Sequence, residues 1–148
     1  MKPLNPTFAA EVAQSFAQQP IMNLMGARLG LVEPGVVEIT LPYRFDLTQQ
    51  HGYLHAGVVT IIADSACGYA AYSLMPAGSE VLSVEFKVNL LRPAHGKSFL
   101  ARAEVIKAGR TLTVVRADVF GIAEHGEKKL VATMQGTMIS VLIQNREQ

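Results

Sequence analysis

One acidic residue, Asp64, lies in the middle of a long apolar segment that runs from Val58 to Tyr72. A carboxylate among aliphatic neighbours is costly unless it is paired, hydrogen-bonded or protonated. The small-residue stretch from Gly52 to Gly57 precedes this segment and would leave backbone N–H groups accessible if a helix begins there. Such donors, at the positive end of a helix dipole, stabilise a developing oxyanion. The pattern therefore indicates chemistry at a carbonyl group.

The spacing of these two features limits how they can cooperate. His55 and Asp64 are nine positions apart, which is about 13 Å along a helix axis at ~1.5 Å per residue. That separation exceeds hydrogen-bond reach about fourfold, so Asp64 is not expected to act on a carbonyl held at the start of its own helix. A second copy of the chain, placed antiparallel about a two-fold axis, would supply its Asp64 instead. Any such site is therefore expected to be shared between subunits.

Both features also have purely structural interpretations, which the sequence leaves open. The small residues before the helix would equally allow it to pack tightly, and His55 would equally satisfy a loop carbonyl. Asp64 would then be a structural acid, hydrogen-bonded to Thr60, Ser65 or a nearby backbone group.

Other kinds of active site have weaker support. Cys67 lies on the apolar helix, which assigns it to the core rather than to nucleophilic catalysis. His51 and His55 are a conceivable metal pair, but the glycines around them argue against a regular helix and no third ligand stands out, so no metal is predicted. The sequence contains neither a Gly-X-Ser-X-Gly elbow nor a glycine-rich phosphate loop, and no cofactor is expected.

Composition bounds the class of protein. The chain has 148 residues, which suits one domain with a sizeable core, and the expected unit is 1–148. A net charge of +1 without a Lys/Arg block gives no reason to expect nucleic-acid binding. A charged fraction of 17% beside a hydrophobic fraction of 49% favours a homo-oligomer that covers apolar surface. With one cysteine, no signal-peptide pattern and no uncharged run long enough to span a bilayer, a cytoplasmic protein without membrane contact is expected.

The order of predicted elements is that of an α+β fold. An N-terminal helix within 1–20 would be capped by Asn5, start at Pro6, present Phe8, Val12 and Phe16 as one stripe, and end at Pro20. The further predicted elements are strands at 27–33 and 36–42, the apolar helix, strands at 81–91, 99–107, 111–120 and 130–142, and a polar tail at 143–148. An antiparallel sheet wrapped around the apolar helix would explain why that helix is apolar nearly all round.

Strand 81–91 and the basic residues after it add further candidates. Alternation places Ser83 on the face of Glu85 and Lys87, opposite the apolar face, so Ser83 reaches the helix only through a bulge or a partner subunit. Three basic residues, Arg92, Lys107 and Arg110, could form a cationic rim for a phosphorylated handle, although solvated surface charge explains each one separately.

Several of these motifs resemble one known family. His55-Ala56-Gly57 followed by Ala63-Asp64-Ser65-Ala66 is similar to the His-Gly-Gly…Ala-Asp-Ser/Thr-Ala pattern of PaaI-like hotdog-fold acyl-CoA thioesterases, of the 4-hydroxybenzoyl-CoA thioesterase superfamily. The segments that follow also resemble that family, namely Leu82-Ser83-Val84-Glu85-Phe86, Leu91-Arg92-Pro93-Ala94 and Lys107-Ala108-Gly109-Arg110-Thr111-Leu112. The resemblance runs from about residue 25 to 141. It implies a curved antiparallel sheet around one long helix, a homodimer with a continuous sheet, often a dimer of dimers, and a site at the dimer interface.

The resemblance also implies roles for individual residues. Asp64 would be the general base or nucleophile, the backbone N–H of Ala56, with Gly57, would polarise the thioester carbonyl, and His55 would position that loop. Ala56 stands where the family has its first glycine. The remaining candidates are Gln49, in place of an asparagine that orients water or carbonyl; Gln50, which could substitute for it; Ser83, in place of a water-binding residue; and Tyr53 and Leu54, which would line the acyl site or belong to the core.

Three functions remain possible at this point. Hydrolysis of an acyl-CoA or aryl-CoA thioester to free acid and coenzyme A is the leading hypothesis. A non-catalytic module that senses acyl-CoA in the same groove is the alternative, although the chain lacks a basic helix for a DNA-binding role. A hotdog hydratase is the third. Those enzymes usually place an Asp and a His five positions apart on the loop and helix, and in this chain the one pair with that spacing, Asp46 and His51, lies before the predicted helix.

Overall fold

The computed structural model describes residues 1–142, so the expected polar tail at 143–148 lies outside the described residues. Its helices are α1 (Phe8–Gln18), α2 (Pro20–Met25) and α3 (Ala56–Tyr72), with one 3-10 turn at Phe45–Leu47. Its strands are β1 (Arg28–Glu33), β2 (Val36–Pro42), β3 (Ser79–Leu90), β4 (Ser98–Ala108), β5 (Leu112–Ile122) and β6 (Lys128–Leu142). None of the helices within this part of the chain has the length and apolarity needed to cross a membrane.

The six strands form one curved antiparallel sheet in the order β1-β2-β4-β5-β6-β3. Helix α3 packs on the inner face of this sheet and contributes eight buried residues to the core. This arrangement confirms the predicted α+β hotdog fold with one long central helix. β1 and β3 are the two edges of the sheet, and β3 pairs on one side only, with β6.

Small side chains allow the helix to approach the sheet closely. Alanines are buried on both surfaces that meet, at Ala63, Ala66, Ala70 and Ala71 on α3 and at Ala101, Ala103, Ala117 and Ala132 on the strands. Larger residues such as Phe99, Ile39 and Met138 fill the spaces around them. A close-packed interior of this kind leaves little freedom for the helix to shift along the sheet. The residues of α3 that do not face the sheet are therefore held in fixed positions.

The N-terminal segment folds slightly differently from the prediction. The side-chain oxygen of Asn5 accepts hydrogen bonds from the N–H and hydroxyl of Thr7, which is a turn typical of asparagine rather than a helix cap. Thr7 is the N-cap, and the helix begins at Phe8 instead of Pro6. The helix ends at Gln18 and Pro20 starts the short helix α2, which the sequence analysis missed because six residues show too little periodicity.

A β-bulge in β3 changes which side chains face the helix. Ser83 pairs with Met138 and Glu85 pairs with Thr137, so Val84 is the extra residue. Before the bulge, odd-numbered residues such as Val81 face the core, and after it the even-numbered Val88 does. The prediction that Ser83 shares a face with Glu85 is therefore wrong, because the extra residue reverses the alternation. The bulge that Ser83 would need to reach the helix is present.

Candidate active site

Helix α3 begins where the sequence placed its accessible donors. His55 is the N-cap residue in an extended conformation, and its Nδ1 accepts a hydrogen bond of 2.8 Å from the N–H of Gly57. The Gly57 donor, predicted as part of the oxyanion site, is therefore already engaged by the histidine. The N–H of Ala56, at the first helical position, has no acceptor among the hydrogen bonds of residues 1–142. Ala56 therefore offers a free donor at this helix start.

The start of α3 opens into a cavity of about 420 Å³, which we call the helix-start pocket. Its lining residues come from the loop before α3, from α3 itself and from the end of β3 with the segment after it; they are Gln49, Tyr53, Leu54, Ala56, Val59, Leu90, Arg92, Pro93, Ala94 and Val131. The pocket thus brings together five predicted site residues: Gln49, Tyr53, Leu54, Ala56 and Arg92. The backbone N–H of Leu54 donates a hydrogen bond to the carbonyl oxygen of Ala94, which joins the loop before α3 to the segment after β3. Leu54 is also part of the core, as one of its two interpretations predicted.

The two glutamines of the loop differ in where they lie. Gln49 lines the helix-start pocket, and its side-chain oxygen accepts a hydrogen bond from the backbone N–H of His51. This bond leaves the amide nitrogen of Gln49 as the group available to the pocket. Gln50 is exposed, is 3.5 Å from the His51 ring and is not among the residues that line the pocket. The predicted substitution of Gln50 for Gln49 is therefore not what this loop geometry favours.

Asp64 is half-buried and faces a second cavity rather than the sheet. Its Oδ1 accepts a hydrogen bond of 2.7 Å from the Ser83 hydroxyl, which the bulge in β3 turns toward the helix. The structural partners considered for it are engaged elsewhere: Thr60 donates to the carbonyl oxygen of Ala56, and Ser65 donates to Gln19. One hydrogen bond from a neutral hydroxyl leaves most of the acceptor capacity of this carboxylate free.

The cavity beside Asp64, which we call the acid pocket, has a volume of about 300 Å³. Residues of α1, α3 and β3 line it, namely Ser15, Gln19, Asp64, Ser65, Gly68, Tyr69, Val81, Leu82 and Ser83. Sequence analysis missed Ser15, Gln19, Gly68 and Tyr69. One signal was available, since Gly68 lies four residues after Asp64 and so on the same helix face. A glycine inside a helix costs about 0.5–1 kcal/mol relative to alanine, which calls for a reason.

Cys67 belongs to the core, as predicted. Its side chain is fully buried, and burial, with a smaller contribution from the negative charge of Asp64, raises the pKa of the thiol to about 12. A thiol with that pKa is protonated at neutral pH and is not a nucleophile. Within residues 1–142, no three His, Cys, Asp or Glu side chains are grouped so as to hold a metal ion.

The three basic residues do not form a rim within one chain. Arg92 follows β3 at the end where Leu90 pairs with Ala132 and Ala132 pairs with Val119. Lys107 and Arg110 flank the β4–β5 turn, next to Leu112. Seven residues of β5 separate Leu112 from Val119, which is about 24 Å at ~3.4 Å per residue. The predicted rim is therefore wrong for a single chain, because the strand register places its members at opposite ends of the sheet.

Known proteins resemble this chain in sequence and in structure. The sequence profile of the thioesterase superfamily matches residues 51–124, which include the helix start, Asp64 and Ser83. A protein of Saccharolobus solfataricus that carries the name "Putative esterase" is 30% identical to this chain over 130 residues. That alignment covers 88% of this chain and 83% of the relative.

Solved structures agree with this result. A thioesterase family protein from Silicibacter pomeroyi superimposes with a TM-score of 0.90 at 51% identity, over 92% of this chain and 99% of that one. The E. coli PaaI protein from the phenylacetic acid degradation operon superimposes with a TM-score of 0.81 at 19% identity, over 93% and 96% of the two chains. At that lower identity the likeness to PaaI concerns the fold alone.

Proposed function

Because the chain belongs to the thioesterase superfamily, we propose that this thioester hydrolase cleaves acyl-CoA thioesters to a free acid and coenzyme A, at a site that two subunits share. The observation that carries the proposal is the separation of two reactive groups. The free N–H of Ala56 opens into the helix-start pocket, and Asp64 with Ser83 lies in the acid pocket, eight residues further along α3. Eight residues correspond to about 12 Å of helix, which is too far for both groups to act on one carbonyl.

The edge strand β3 supports a way to combine the two pockets. Leu82 and Ser83 at its start line the acid pocket, and Leu90 at its end lines the helix-start pocket. Several apolar side chains on this strand are exposed, with Leu82 at 57%, Val84 at 54% and Phe86 at 41%. A long apolar edge strand is open to pairing with another chain.

Antiparallel pairing of two copies of β3 about a two-fold axis would bring opposite ends of the strands together. With the axis near Phe86, residue 82 of one chain would lie opposite residue 90 of the other. The acid pocket of each subunit would then meet the helix-start pocket of its partner. The same pairing brings the Lys107 and Arg110 turn of one chain toward the Arg92 end of the other, where the three would hold the phosphates of coenzyme A. A dimer of such dimers remains compatible with this arrangement.

The proposed chemistry follows from these positions. The thioester carbonyl oxygen accepts a hydrogen bond from the Ala56 N–H, where the helix dipole also stabilises negative charge. Asp64 of the partner subunit takes a proton from a water molecule whose oxygen attacks the carbonyl carbon, or its carboxylate attacks that carbon directly. When the tetrahedral intermediate collapses, the carbon–sulfur bond breaks and coenzyme A leaves as a thiolate, which is then protonated. Attack by water gives the free acid at once, whereas direct attack leaves a mixed anhydride on Asp64, which a water molecule then hydrolyses to release the acid and restore the carboxylate. His55 contributes by holding the first turn of the helix through Gly57.

The test is a thiol-release assay with a panel of acyl-CoA and aryl-CoA thioesters. We expect Asp64→Asn to lower kcat/KM by about a thousandfold, as for loss of a general base. Asp46→Asn, the same change at an exposed carboxylate outside both pockets, is the matched control and should stay within a fewfold of wild type. Full turnover by a folded Asp64→Asn protein would refute the role of Asp64. Stoichiometric acyl-CoA binding without thiol release by the wild type would favour the sensing module instead.

A further inference from the structure

Gly68 occupies an unusual position beside the proposed catalytic acid. It lies in the interior of the 17-residue helix α3, one turn beyond Asp64 on the same face, and lines the acid pocket. Its backbone is not among the positive-φ glycines of the described chain, so the helix conformation does not require glycine. A methyl group built on Gly68 would meet no atom of residues 1–142 within 4 Å, apart from its two chain neighbours and the adjoining helix backbone. Neither backbone conformation nor packing within the chain explains this glycine.

Helix α1 contributes Ser15 and Gln19 to the lining of the acid pocket. The Ser15 hydroxyl is 3.2 Å from the Tyr69 hydroxyl, and the Ser65 hydroxyl donates a hydrogen bond of 3.5 Å to Gln19. These polar groups are paired with each other, so they do not require a polar ligand between them. The acid pocket that these residues and Gly68 line has a volume of about 300 Å³. A cavity of roughly 150 Å³ already accommodates benzene, so this one suits a short chain or a single ring.

We propose that Gly68 sets the size of the acyl group that the enzyme accepts, with Ser15 and Gln19 of α1 forming the end wall of the acyl site. The inference rests on the proposed function, and it adds that the acyl group of the substrate extends from the carbonyl site into the acid pocket. The missing side chain keeps open the space next to the carboxylate, at a cost in helix stability. Acyl groups up to about one aromatic ring fit, and longer alkyl chains meet α1.

The test compares wild type with Gly68→Ala and Gly68→Val on acetyl-CoA, phenylacetyl-CoA and palmitoyl-CoA. For Gly68→Val we expect kcat/KM on phenylacetyl-CoA to fall at least about tenfold, because added methyl groups occupy the acyl space, while the value on acetyl-CoA stays within about twofold. Gly68→Ala should show a smaller loss together with a melting temperature about 2 °C higher, since alanine favours the helix. Wild type should favour phenylacetyl-CoA over palmitoyl-CoA.

Gln14→Ala, at an exposed position of α1 that does not line the acid pocket, serves as the control for helix propensity and should leave the preference among acyl groups unchanged. Equal losses on all substrates, an unchanged preference in Gly68→Val, or a lower melting temperature for Gly68→Ala would overturn the proposal. A change of oligomeric state in Gly68→Ala, measured by light scattering, would overturn it as well, because Gly68 would then be a contact between subunits.

Binding measurements distinguish the size-setting role of Gly68 from thioester hydrolysis. Non-hydrolysable thioether analogues of acetyl-CoA and phenylacetyl-CoA report on the pocket by calorimetry even if no thioester is cleaved. Absence of thiol release from every substrate contradicts the hydrolysis proposal alone. A Gly68→Val protein that binds the phenylacetyl analogue as tightly as wild type does contradicts the size-setting role of Gly68, whatever the hydrolysis assay gives.

Discussion

The helix-start pocket and the acid pocket are built in different ways. The first depends on a main-chain group, the Ala56 N–H, that any helix leaves without an intrahelical partner. The second depends on a side chain, Asp64, held by a serine that only a bulge in a distant strand turns toward it. Each pocket lacks what the other has, since one offers a donor without an acid and the other an acid without a helix end. Under the proposed mechanism, neither pocket alone would form a complete site.

Among the variants that follow, Ala56→Pro in the helix-start pocket is expected to reduce kcat the most. Proline is well tolerated at the first helical position, and His55, with φ −60° and ψ 138°, already has the conformation that a following proline requires. The substitution therefore removes the N–H donor and keeps the helix. We expect a loss of about 10²- to 10³-fold in kcat, measured by thiol release, as for removal of one oxyanion donor. Ala56→Gly retains the N–H and should stay within a fewfold of wild type.

A mixed dimer of Ala56→Pro and Asp64→Asn chains tests whether the helix-start pocket of one subunit works with the acid pocket of the other. Ala56→Pro and Asp64→Asn chains carrying different tags would be co-expressed and the mixed dimer purified. One of its two sites would then have an intact donor and an intact acid, so about half of the wild-type kcat per dimer is expected. If instead each chain used its own two pockets, both sites of the mixed dimer would carry one substitution and the activity would stay at the level of the single variants.

Ser83→Ala acts on the acid pocket alone and should have an intermediate effect. Loss of a hydrogen bond to a carboxylate corresponds to about 1.5–3 kcal/mol at most, and Asp64 is half-exposed, so a roughly tenfold decrease of kcat/KM is expected. Ser79 on the same strand is the matched control, because its buried hydroxyl has no hydrogen-bond partner among residues 1–142. Ser79→Ala should leave kcat/KM unchanged, and an equal loss in both variants would mean that Ser83 only supports the strand.

The smallest effect is expected on stability, where a hydrogen bond holds α1, which lines the acid pocket, against α3. Tyr72 donates a hydrogen bond of 2.6 Å to Glu11, and this bond, with further ones from Asn5 and Thr7, lowers the pKa of Glu11 below its usual 4.5. Tyr72→Phe should lower the melting temperature by roughly 2 °C at neutral pH.

The pH dependence of this difference has a definite sign. A carboxylate with a depressed pKa stabilises the fold above its unfolded-state pKa, and that contribution is lost as the pH falls through the folded-state value. The difference in melting temperature between wild type and Tyr72→Phe should therefore shrink below pH 4.5. A difference that stays constant from pH 7 to pH 3 would show that Glu11 is not the group involved.

Much of the fold could be predicted because the elements have clear local signals. Alternation of apolar residues predicted the strands, and a turn at Pro34-Gly35 joins β1 to β2 with Gly35 at φ 80°. The apolar segment around Asp64 is a helix two residues longer at its start than the stretch that predicted it. The candidate site was predictable in part, since Asp64 and the helix start were both recognisable as chemically unusual. Ser15 and Gln19 could not be predicted, because nothing near them in the chain marks their contact with α3.

The order of residues along the chain sets the spacing of the two candidate groups, because helix rise is constant and places Ala56 and Asp64 far apart wherever the helix packs. The groups that surround them depend on how the strands pair. The bulge at Val84 reverses the faces of β3 and gives Asp64 its serine, and the strand register sends Arg92 and Arg110 to opposite ends of the sheet. The physical reason is that a single extra residue reverses a two-residue alternation, and whether a bulge occurs depends on pairing with a strand some fifty residues away.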